Sequence, residues 1–236
     1  MIQTHARLVL SLFAVGTFAC GGGDEEESQP IDYYQGATSA ALGAAGNQAD
    51  CATCHSNDGS KRSGDSLKDI AYRTSFKGGD APNLLAASNA CVTGWMGGTA
   101  LGETDEAWIM LETYLQSISS ESVTDPNPLM PEVLDNEAAY EAAYGGGDAT
   151  AGAAKYTAAC GTCHDANLKV GPAGSLAKAT LGTYTAGRIA QKVRTSGPPP
   201  SGMMDASDST PGPMPFFEPA DLSQQDLADI IAHLLQ

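Results

Sequence analysis

The stretches "CATCH", residues 51–55, and "CGTCH", residues 160–164, decide how the rest of the chain is read. Each is a C-x-x-C-H cluster. Cysteines three apart on a helical turn project to one face, and the histidine that follows can present an imidazole nitrogen beside them. The chain around the clusters falls into two copies of one plan: helix, cysteine cluster, polar loop, helix, methionine loop, terminal helix. An internal repeat of this kind organises the whole sequence. Strand signals are weak, with no run of alternating β-branched residues between hairpin turns, so an all-α fold is expected.

C-x-x-C-H is the attachment signal for c-type haem: each cysteine forms a thioether to one vinyl group and the histidine ligates the iron. Two such clusters imply two haem c groups, one bound at Cys51, Cys54 and His55, the other at Cys160, Cys163 and His164. A structural zinc site would want its histidines as a spaced pair, and a disulfide or redox dithiol leaves both histidines unexplained.

Length and composition agree with two small haem domains. The 236 residues suit two domains of ordinary size. Aromatics make up only 6% of the chain, which leaves room for a large apolar group in each core. Twelve Lys and Arg face 28 Asp and Glu, a net charge of -16, which disfavours nucleic acid and anionic lipid and favours a partner with a basic docking face.

Residues 1–20 read as an export signal: Arg7, an apolar run from Leu8 to Ala19 too short to span a bilayer, then Cys20. Cys20 after Ala19 resembles a bacterial lipobox, which implies lipidation, an extracytoplasmic or periplasmic location and a lipid anchor; an ordinary cleaved signal is the alternative. Residues 21–35, with GGGDEEESQP at their start, are expected to be a flexible acidic tether. Residues 36–120 form the first domain, 121–138 a Pro-rich linker and 139–236 the second domain. Asp148 and Ser223 are expected helix caps in the second domain, and Thr104 caps the terminal helix of the first.

From about Gly36 to the C-terminus the chain resembles the class I cytochrome c family in duplicate. The resemblance implies two tandem cytochrome c-like domains, each wrapped around its haem. In the family a glycine eight residues before the first cysteine lies where the first helix crosses the terminal helix; Gly43 and Gly152 match it. An aromatic follows four residues later, matched by Tyr156 but replaced by Asn47. Pro172 resembles the proline whose carbonyl orients the proximal histidine.

Met214, bracketed by prolines in GPMPFFEP, resembles the family's axial methionine, with Met203 and Met204 as alternatives. Counting back from the terminal-helix caps places Met96 at the corresponding point of the first copy. Tyr114 and His233 fall ten residues past those caps, so His233 reads as a helix residue. Cys91 is the leftover thiol. It is either a small buried hydrophobe or an alternative iron ligand, since NACVTGWMGG, residues 89–98, resembles a segment of SoxA-like and thiosulfate-oxidising dihaem cytochromes in which a cysteine thiolate binds iron.

The function so implied is single-electron transfer between periplasmic redox proteins by two His/Met-ligated haems, with no catalytic residue. The alternative is a dihaem oxidoreductase, thiosulfate dehydrogenase-like or peroxidase-like, with Cys91 or an open position at the first haem.

Overall fold

The structure is a computed structural model that describes residues 28–55, 66–127, 131–164, 169–171, 176–195 and 214–236. Among these are ten α-helices, two short 3-10 helices and no strand. The export signal with Cys20, Pro172, Met203 and Met204 lie outside the described residues.

The second half is built from α5 (Glu137–Tyr144), α6 (Ala149–Ala159), α7 (Gly161–His164), α8 (Lys178–Leu181), α9 (Ala186–Thr195) and α10 (Gln224–Leu234). As the sequence suggests, Asp148 caps α6 by accepting from the Thr150 and Ala151 amides, and Ser223 caps α10 by accepting from Asp226. The two helices cross at Gly152. A β-carbon there would lie 1.9 Å from the Asp229 carbonyl oxygen, so only glycine permits this approach. Tyr156, one turn on, packs its ring 5.8 Å from that of His233, which is a helix residue on α10.

Asp229 locks the same crossing. It is 3% exposed, and accepts from the Asp148 amide, the Gln225 amide group and Lys155. Lys155 and the Asp148 amide hold its carboxyl down to about 2. On the far side, α5 packs on α9 through Tyr140, Tyr144, Ile189, Ala190 and Val193 in one apolar core with Leu227, Ile230 and Ile231 of α10.

The first half is made of α1 (Gly36–Ala40), α2 (Cys51–Cys54), α3 (Leu84–Gly94) and α4 (Glu106–Ser117), preceded by a 3-10 turn over Pro30–Tyr33. Three expectations change here. Residues 21–35 are not tether throughout: Tyr34 is 3% exposed, and its ring packs 4.8 Å from that of Tyr114 on α4. Gly43 lies in a turn after α1, and a β-carbon on it would meet the Asn47 side chain and the Met96 carbonyl, not the terminal helix. The cap of α4 is Asp105, one residue past Thr104.

The first two corrections share a cause. Tyr34 precedes Cys51 by seventeen positions, whereas Tyr156 precedes Cys160 by four. The first half therefore carries thirteen extra residues between the aromatic at the crossing and its cysteine cluster. Counting back from Cys51 lands inside that insertion, on Asn47, and misses Tyr34.

The linker region is docked. The Asn127 amide donates to the Ser75 carbonyl, Arg73 reaches the Asp125 and Pro126 carbonyls, and Tyr144 and Arg194 both meet the Glu132 carboxylate. No helix among the described residues is long and apolar enough to cross a membrane.

Candidate functional site

The site in the second half starts from the end of α6, where Cys160 caps the helix and α7 carries Cys163 and His164. Nδ1 of His164 lies 2.7 Å from the Leu176 carbonyl oxygen. A carbonyl can only accept, so Nδ1 carries the proton and the Nε2 lone pair is left for a ligand. Pro172, expected in this orienting role, is outside the described residues, and the carbonyl found there belongs to Leu176.

A cavity of about 500 Å³, open mouth included, lies beside this imidazole. Cys160, His164 and Met214 all line it, and Tyr156, Leu181, Ile189, Val193, Ile230 and Leu234 make its surface apolar. Two cations interrupt that surface, Arg188 and Lys192, one turn apart on α9. The Arg188 guanidinium also stacks on Tyr184 at 5.5 Å. Sequence reading passed over this pair. The signal was present as two cations at i and i+4 in a strongly acidic chain.

Met214 is held in place from behind. Three residues on, Phe217 is buried, donates its amide to the Val193 carbonyl at 2.9 Å, and accepts from Arg194 at 2.8 Å. Arg194 is fully buried, and its Nε also donates to the Tyr144 hydroxyl at 2.8 Å. Burial, and then the hydrogen bond to Glu132, push the Tyr144 phenol up to about 12, so it stays a neutral donor.

The first half has a larger cavity, about 1230 Å³ with its mouth included. Cys51, Cys54, His55, Cys91 and Met96 all line it. The short helix α2 is fixed at its start by Asp50, which accepts from Thr53 at 2.6 Å, and by the Ala52 amide, which donates to the Tyr34 carbonyl at 3.2 Å. The Tyr34 hydroxyl reaches the His55 carbonyl, at 3.3 Å, so one tyrosine straps both ends of the motif.

Met96 is 5% exposed and follows the end of α3, while Cys91 sits on that helix. Burial pushes the Cys91 thiol up, with Lys77 opposing it, and burial pushes Cys51 up to about 12. Lys77 itself lies 4.8 Å over the Trp95 ring.

The two motifs face each other across the junction of the halves. Cys54 and Cys163 are hydrogen-bonded thiol to thiol, which with burial raises the Cys54 thiol well above its ordinary value. Cys163 accordingly lies at this junction and not among the residues lining the smaller cavity. Among the described residues, no group of three or more His, Cys, Asp or Glu is placed to hold a bare metal ion.

A largely apolar cavity bordered by a cysteine, an oriented imidazole, a thioether and two cations fits a covalently attached haem with its anionic carboxylates. Residues 147–234 match the family model described as cytochrome c oxidase, cbb3-type, subunit III. This stretch is therefore a cytochrome c domain, and it implies at least one covalent haem c. No curated protein and no solved structure matched the chain.

Proposed function

We propose that this is an exported dihaem cytochrome c that carries single electrons between redox proteins. The observation that carries the reading is that each cavity brings a motif histidine together with a methionine from a distant loop: His164 with Met214, and His55 with Met96. Bound haem iron supplies one-electron chemistry, and methionine ligation raises its potential.

The residues of the chain divide the remaining work. Cys51, Cys54, Cys160 and Cys163 would hold the two groups by thioethers, and His55 and His164 would supply imidazole ligands. Met214 and Met96 would supply thioether-sulfur ligands. Arg188 and Lys192 would pair with anionic carboxylates at the second site, and apolar walls would exclude water from both. With the ligands supplied by the chain, the groups would pass electrons without binding a substrate.

The acidic surface favours partners with a basic docking face, at salt-sensitive affinity, and a terminal oxidase complex is one candidate class. Lipidation at Cys20 would hold the chain at the outer face of a membrane.

The test uses the full chain matured in a host competent for haem attachment. The expected mass exceeds the polypeptide by two haems. Near-infrared sulfur-to-ferric-iron absorption should fall in two steps with Met96→Ala and Met214→Ala. A mass gain of a single haem would overturn the dihaem reading.

Cys91 supports a second reading, because it lines the first cavity beside Met96. On that reading the first haem is thiolate-ligated or open and the chain is a dihaem oxidoreductase, thiosulfate dehydrogenase-like or peroxidase-like. A near-infrared band unchanged by Met96→Ala, with a thiolate signature in electron paramagnetic resonance that Cys91→Ser removes, would select it.

A further inference from the structure

One short segment borders both cavities. Met214 lines the smaller one, while Pro215 and Phe216, the next two residues, line the larger. Phe217 then anchors the segment through Val193 and Arg194. Val170, from a separate loop of the second half, also lines the larger cavity.

The junction beside these residues is tightly fitted. The Gly171 amide donates to Asn47 Oδ1 at 2.9 Å, and a β-carbon on Gly171 would lie 2.4 Å from the Trp95 carbonyl oxygen. With φ of +65°, this is a backbone position suited to glycine. The Lys169 carbonyl accepts from the Gln48 amide at 2.8 Å.

We infer that the first haem site is composite: Phe216 and Val170 of the second half are positioning residues that close it against water. The inference rests on the dihaem reading. Its physical content is that ferric haem carries one more positive charge than ferrous haem, so a drier wall disfavours the ferric form and raises the potential. Opening the wall from the second half must lower the potential of the haem in the first.

The experiment compares the full, matured chain with its Phe216→Ala and Val170→Ala variants. Haem content is read by mass, and the two haems by spectroelectrochemical titration and electron paramagnetic resonance. Met214→His, which replaces thioether by imidazole at the second haem, marks that haem's signals. Both alanine variants should keep two haems and shift the unmarked haem to lower potential.

A chain with two haems whose unmarked haem is unmoved in both variants overturns the composite site and leaves the dihaem reading standing. So does a shift confined to the marked haem. A single-haem mass overturns both ideas together. Signals that Met214→His leaves in place overturn the shared segment, which requires Met214 at the second haem. Should Phe216→Ala fail to accumulate, Val170→Ala decides, because it lies on a separate loop.

Discussion

In the second half, α6 and α10 meet backbone to backbone at Gly152, and Asp229 is wired into the contact by three donors. In the first half a single 3-10 turn replaces α6, and the contact with the terminal helix is a ring on a ring, Tyr34 against Tyr114. The same cluster of two cysteines and a histidine is thus presented by a rigid helix pair in one case and by a strapped loop in the other. Close helix packing tolerates almost no change at its contact point, whereas ring contacts and straps distribute the load over several weaker bonds.

The largest effect should come from Gly152→Ala. Its β-carbon cannot coexist with the Asp229 carbonyl, so α6 must move, at a cost of about 3 kcal/mol. Denaturant unfolding of the matured chain should show the second half failing first. An equal cost for Gly43→Ala, whose β-carbon meets a side chain and the Met96 carbonyl, would break the comparison.

Next is Asp229→Asn, expected to lower stability by roughly 1–3 kcal/mol at neutral pH. The sign of its pH dependence follows from the lowered carboxyl. The contribution of Asp229 is complete above the ordinary aspartate value of 3.8 and fades as pH falls towards 2. The stability difference between the natural chain and the variant should therefore shrink on acidification over that window. A difference that grew as pH fell would refute the assignment.

Tyr34→Phe removes only the hydroxyl strap on His55 and should cost about 1 kcal/mol. Ring packing on Tyr114 survives it. Asp50→Ala, which strips the cap from α2, should also cost about 1 kcal/mol. On the dihaem reading, either change should alter the optical spectrum of the haem in the first half and leave the other's alone.

How far the sequence could be read follows the same division. The second half was legible because its signals are local: Asp148 and Ser223 cap where caps were expected, and Gly152 and Tyr156 fall one turn apart on a continuous helix. The first half was legible at Cys51, Cys54 and His55 but not upstream of them. An insertion without periodicity separates Tyr34 from the motif, and residue counting cannot see across it.

Met96 and Met214 could be placed because both precede a terminal helix by similar distances, even though the cap of α4 is Asp105 and not Thr104. The Cys54 to Cys163 contact, Phe216 in the first cavity and Arg194 behind Phe217 had no sequence signal. Each depends on how segments far apart in the chain dock, and no local pattern encodes that.

The thirteen additional residues of the first half have a further consequence. Asn47 Oδ1 accepts from Gly171, the Gln48 amide donates to Lys169, and the Ala45 carbonyl accepts from the Lys169 ammonium. All three lie in the stretch the other copy lacks. Part of the mortar between the halves is thus material that only one of them possesses, and trimming it out should loosen their union.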